Sequence, residues 1–172
     1  MTVDGHPIVY GPDAGAAVAL GGIGVCFKVP AAATGGAFSI VEHPVRPGTL
    51  APPHVHADED ELSYVLEGTF GVRVGDDVLE AGPGSYVVKP RGVPHTFWNA
   101  GPAQARLIEI IAPAGFERYF TEMADLLQRH GPDFDRISDL AAGYHLSFRM
   151  DWVDDLVARY GVTLLGEGRA ES

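Results

Sequence analysis

The chain has 172 residues, the length of a single domain with room for an appended element. At 46% hydrophobic and 20% charged residues it can bury a core, which excludes a disordered chain. Twelve Lys and Arg against 23 Asp and Glu give a net charge of -11, a field that repels phosphate backbones and anionic lipid and so argues against nucleic acid or a membrane as partner.

In chain order, the apolar stretch Ala14–Phe27 is broken by Gly15, Gly21, Gly22 and Gly24, and reads as turn plus strand. Short β-type runs then follow one another up to about residue 112, separated by Gly, Pro and Asp clusters: Val25–Val29, Phe38–His43, Pro53–His56, Leu62–Leu66, Phe70–Val74, Ser85–Val88, His95–Asn99 and Arg106–Ile111. The 22 Gly and 13 Pro fit many tight turns between such strands and favour a mainly β core. After Pro113 the period changes. Phe116, Phe120, Met123 and Leu127 recur at three- and four-residue steps and predict a helix over Gly115–His130, ended by Gly131-Pro132. Further helices are expected over Phe134–Ala142 and Trp152–Tyr160, each stopped by a glycine. The expected organisation is a β-barrel over 1–113, with its motif core at 34–113, and a helical extension over 114–172.

The single Cys26 cannot close an internal disulfide, so a reducing, cytoplasmic compartment is the expectation. No run reaches the roughly 18 apolar residues that a spanning helix needs, and Met1-Thr2-Val3-Asp4 carries an acid where a leader would carry Lys or Arg.

The chemistry concentrates on two short segments, Gly48 to Gly68 and Gly84 to Asn99. His54 and His56 are two apart, so on a strand both imidazoles face one side and can grip one ion. A polar turn then leads to Glu59 and Glu61, which share parity, and either can bring a carboxylate beside them. His95 arrives from a separate hairpin set by the Pro90-Arg91-Gly92 turn. Three neutral imidazoles and a carboxylate suit one divalent transition metal ion, among Fe, Mn, Ni, Co, Cu and Zn.

These segments resemble the two motifs of the cupin superfamily. Gly48, His54, His56, Glu61 and Gly68 fill G-x5-H-x-H-x4-E-x6-G, and Gly84, Pro90, Gly92, His95 and Asn99 fill G-x5-P-x-G-x2-H-x3-N. The resemblance selects Glu61 over Glu59 and implies a jelly-roll β-barrel (double-stranded β-helix) with the ion held inside one end by His54, His56, Glu61 and His95. From about Thr34 to Pro113 the sequence is also similar to small bacterial single-domain cupins of the quercetin 2,3-dioxygenase-like kind. That likeness implies a small enolic or phenolic, flavonol-like substrate whose proton Glu61 takes, followed by reaction with dioxygen. The same ligand set also serves isomerase, cyclase or lyase chemistry, or non-catalytic binding of a small molecule.

Ser63 replaces the bulky aromatic that many relatives carry two residues after the ligand Glu, and its parity with Glu61 points it inward as a pocket residue. Phe97 shares parity with His95 and is the candidate apolar wall. Glu109 can point inward from the last strand, although a half-exposed carboxylate is the blander expectation. His6, His43, His130 and His145 lack ligand spacing and read as surface or packing residues, while Lys89 and Arg91 read as solvated or salt-bridged surface. Trp98 and Tyr64 are out of phase with the ligands and should pack on the opposite sheet face or at an interface. Cupins often pair through their sheets, so a homodimer is expected, which light scattering on a sizing column checks.

Overall fold

The computed structural model describes residues 9–166; the opening Met1 to Asp4 segment and His6 lie outside the described residues. Its strands are β1 (Ala17–Leu20), β2 (Ile23–Val29), β3 (Ser39–Val45), β4 (Thr49–Leu50), β5 (His54–His56), β6 (Asp60–Glu67), β7 (Phe70–Val74), β8 (Asp77–Ala81), β9 (Tyr86–Lys89), β10 (His95–Asn99), β11 (Ala105–Ala112), β12 (Leu146–Phe148) and β13 (Thr163–Leu164). The helices are α1 (Glu117–His130), α2 (Phe134–Gly143) and α3 (Val153–Tyr160). None is long and apolar enough to cross a membrane.

Two sheets make the core. The first runs β1-β2-β3-β11-β6-β9; the second runs β12-β5-β10-β4-β13, with β7 on β10 and β8 on β7. Strict alternation decides what faces inward. In β3, Ser39, Val41, His43 and Val45 are buried, and in β11 so are Ala105, Leu107, Glu109 and Ile111. Of these, Val41, Val45, Ala105, Leu107 and Ile111 meet Phe70, Val72 and Phe97 of the second sheet in one apolar cluster. Among the described residues no strand pair links the two sheets, so the jelly roll is a pair of facing sheets rather than the closed barrel expected from sequence. The physical reason lies at the margins, where β1 and β9 end the first sheet on strands that pair on one side only.

The C-terminal segment does more than cover a surface. Strand β12 pairs with β5, placing Leu146 opposite His56 and Phe148 opposite His54, while β13 runs parallel to β4. Helix α3 and its approach lay Trp152, Leu156 and Val162 against Trp98 and Leu50. Every residue of β10 is therefore buried: His95, Phe97 and Asn99 face the core, and Trp98 is covered on the other face, as its parity indicated. Gly71 is required beside it, because a Cβ there would overlap the indole of Trp98.

Candidate metal centre and pocket

The two sheets contribute opposite halves of the site. His54 pairs directly with His95 across β5 and β10, and His56 follows two residues on, so the three imidazoles share one face of the second sheet. Ring centroids lie 4.5 Å apart for His54 and His95, 4.9 Å for His54 and His56, and 5.6 Å for His56 and His95. Glu61 enters from β6 in the facing sheet, its Oε1 3.3 Å from His56 Nε2 and its Oε2 3.2 Å from His95 Nε2. One ligand atom from each of the four residues lies within 4.8 Å of the others, so the cluster could hold a metal ion.

The hydrogen bonds around the rings fit that use. His54 Nδ1 donates to the Pro52 carbonyl at 2.7 Å and His95 Nδ1 to the Val93 carbonyl at 3.0 Å. A carbonyl can only accept, so each neutral ring carries its proton on Nδ1 and keeps the lone pair of Nε2 for the cluster. Neither nitrogen of His56 has a well-formed hydrogen bond among the described residues, although the ring is buried. A buried imidazole left in this state is what a cation would complete. Its Nδ1 faces Glu59 Oε2 at 3.4 Å, so Glu59, which shares parity with Glu61, sits behind the histidine.

The charges are strongly coupled. Burial disfavours ionised Glu61, but Lys89 and His56 overcome this and hold its carboxyl well below the usual range. Burial also opposes the His56 cation, yet the carboxylates of Glu61 and Glu59 outweigh it and push the pKa up to about 9. His54 and His95 are both driven down, chiefly by burial. A metal would take the place of the His56 proton, so binding should release a proton near neutral pH. Replacing Glu59 with Gln removes the carboxylate behind His56 and should weaken metal affinity about 10- to 100-fold. Competition titration against a chelator reads this, and unchanged affinity would show that Glu59 does not orient the ring.

A second polar layer adjoins the cluster. Lys89, opposite Glu61 in the β6–β9 pairing, is 2% exposed and bridges Glu61 at 2.9 Å and Glu109 at 2.7 Å. The expected surface lysine is thus an interior cation, because β9 turns Lys89 toward the core at its last residue. Glu109 is equally buried, since β11 lies between β3 and β6 and its alternation leaves no exposed option. Burial pushes its carboxyl up to about 7, against the opposing pull of Lys89. Ser63 pairs across from Glu109 and its hydroxyl donates to Glu109 Oε2 at 3.0 Å. It points inward as its parity indicates, but it stands behind Glu109 and is not among the residues lining the cavity.

The cavity itself contains His54, His56, Glu61, Glu109, His43 and Phe97. Its remaining walls are apolar, and several come from the C-terminal segment: Phe116, Tyr119, Phe120 and Met123 from around α1, and Leu146 and Phe148 from β12. Phe116 sets its ring edge-on to His56 at 4.3 Å. No Lys or Arg is among the described lining residues. His43 and Glu109 are the residues whose pocket position the sequence reading undervalued. The signal was available in their shared parity with Val41, Val45, Leu107 and Ile111. His145, by contrast, is an exposed partner of Asp58, and Arg91 an exposed partner of Asp60, in keeping with their surface reading.

Residues 42–111 match the Cupin domain model. Over 69 residues the chain is 35% identical to Protein SchB of Streptomyces halstedii, a match covering 40% of this chain and 50% of that protein. Among solved structures, an RmlC-like cupin from Shewanella frigidimarina aligns with TM-score 0.54 at 21% identity, covering 62% of this chain and 91% of that one. The polyketide cyclase RemF from Streptomyces resistomycificus also aligns with TM-score 0.54, at 29% identity over 64% of this chain and 80% of its own. With its jelly roll and both motifs in place, the segment 42–111 is a cupin domain. The aligned region spans only half the length of the curated relative.

Proposed function

We propose that this cupin is a metal-dependent enzyme that moves protons on a small, uncharged enolic or phenolic substrate, in the manner of a cyclase or isomerase. One observation carries this reading: the cavity at the three-histidine, one-glutamate cluster holds a second buried acid-base group, Glu109, within walls that are otherwise mostly aromatic and apolar. The likeness to a polyketide cyclase supports the same substrate class.

His54, His56, Glu61 and His95 would hold the ion, which supplies Lewis acidity that lowers the pKa of a bound enol or phenol. Glu109, poised near neutrality, can accept or return a proton at its carboxylate oxygens. Ser63 and Lys89 fix the orientation of that carboxyl through Oε2. Phe97, Phe116 and Phe120 keep water from the reacting groups and present flat apolar surface to a ring. A carboxylate or phosphate substrate would find no unpaired cation among the described lining residues, since Lys89 is already engaged by two carboxylates. The setting of this chemistry is the cytoplasm, in line with the lone Cys26.

The second reading is the dioxygenase implied by the quercetinase resemblance, with Glu61 taking the substrate proton and dioxygen as co-substrate. The aromatic and apolar walls beside the cluster support it, because a flavonol is itself a flat, apolar ring system. Incubating metal-loaded protein with quercetin and with hydroxylated polyketide-like phenols, in air and under strict anaerobiosis, separates the two. The cyclase or isomerase reading predicts turnover that persists without dioxygen and products that gain no oxygen. Products that carry both atoms of dioxygen, and that vanish anaerobically, would replace it with the dioxygenase.

A further inference from the structure

Besides Tyr119, the cavity contains one polar side chain that neither the metal cluster nor the acid-base network uses. His43, on β3, is 4% exposed and lines the cavity. Its Nδ1 donates to the Gly24 carbonyl on β2 at 2.9 Å, which fixes the tautomer and leaves Nε2 as an acceptor. Nε2 has no hydrogen-bond partner among the described residues. Two aromatic rings bracket the imidazole: Phe97 with centroids 6.2 Å apart, and Phe120, edge-on, at 5.5 Å. Burial keeps the ring neutral, pulling its pKa down to about 4 despite nearby Glu61 and Glu42, with Lys89 adding to the depression.

An acceptor in an apolar, aromatic wall costs free energy unless water or a ligand supplies a donor, and a ligand that displaces the water has to supply one itself. We propose that His43, with Phe97 and Phe120, forms a subsite that recognises a hydroxyl group on the aromatic ring of the substrate. This deepens the proposed function and rests on its reading of the substrate as an uncharged hydroxyaryl compound. The subsite draws on both parts of the chain, since His43 and Phe97 belong to the sheets and Phe120 to α1. A ring held in the cavity against these phenylalanines would offer its hydroxyl to His43 Nε2, and a ligand lacking that donor would leave the nitrogen unpaired by it.

The test uses binding rather than turnover. 4-Methylphenol and 4-methylanisole, which differ in the donor, are titrated into metal-free protein by calorimetry or ligand-observed NMR. Metal-free protein keeps the outcome separate from whether the chain is a metalloenzyme. The unsubstituted protein should bind the phenol about tenfold more tightly than its methyl ether, and H43F, shown by circular dichroism and melting to be folded, should lose that preference. In 15N-histidine-labelled unsubstituted protein, the phenol alone should shift the His43 Nε2 resonance, a readout that stands even where H43F does not fold. Equal binding of the two probes, a preference that survives in H43F, or an Nε2 resonance unmoved by the phenol would overturn the assignment.

Discussion

Lys89→Met should destabilise the metal-free protein by about 3–5 kcal/mol at neutral pH, the cost typical of removing one partner from a buried ion pair. Lys89 lies in the interior between two carboxylates, at 2.9 Å from Glu61 and 2.7 Å from Glu109. Without its ammonium, Glu109 faces a low-dielectric core uncompensated and binds a proton more readily in the folded than in the unfolded chain, while Glu61 keeps only His56 as a cationic partner. A carboxyl whose folded pKa is raised in this way costs stability as pH rises from its unfolded value through its folded one. The deficit should therefore be small near pH 5 and grow toward pH 8. A bound divalent ion would restore positive charge beside Glu61, so metal should raise the melting temperature of the variant by more than that of the parent. Urea denaturation at several pH values, with thermal melts in the presence and absence of metal, measures all three effects. Unchanged stability at neutral pH would mean that the ammonium does not hold these charges.

Glu109→Gln should lower turnover about 10²- to 10⁴-fold, the contribution of a positioned acid-base group. The amide keeps the shape and can still meet Ser63 and Lys89, so fold and metal content should survive. The pH dependence adds a second signature. The Glu109 carboxyl is raised from its usual 4.5 to about 7, so taken alone it lowers folded stability as pH rises through that window. The amide abolishes this titration, and both the rate profile and the stability profile should lose an inflection near pH 7. Full activity in the variant would remove Glu109 from the chemistry, leaving the cluster and the apolar walls to account for it.

Much of this protein was legible in its sequence, and the limits have a consistent cause. Strands with strong β-type runs, such as Phe70–Val74 and His95–Asn99, fall where the pattern puts them. So do the three helices, to within a few residues at their ends. The short pairings β4, β12 and β13 carry no periodic signal, because two or three residues form a strand only when a distant partner supplies the ladder. That is why the C-terminal segment read as helical although it also lends a strand to the histidine-bearing β5.

The four residues of the candidate metal cluster were legible for a different reason, since their spacing and the turn glycines repeat a recognisable arrangement. The second polar layer was not. Lys89, Glu109 and His43 each have a bland surface or packing alternative when read singly. What turns them inward is their shared position on the inner face of one sheet: Glu109 beside Ser63, Lys89 beside Glu61, and His43 opposite Leu107. Parity along one strand suggests such a placement, but only the register between strands shows that the groups meet.

The cluster of His54, His56, Glu61 and His95 is central to the proposed function as a metal site. Elemental analysis of protein purified without added metal tests this most directly, with His54→Ala and His95→Ala prepared alongside. Near-stoichiometric divalent metal in the parent, and its loss in both folded variants, is the predicted result. A parent protein that emerges empty and cannot be reconstituted with any of Fe, Mn, Ni, Co, Cu or Zn would contradict it.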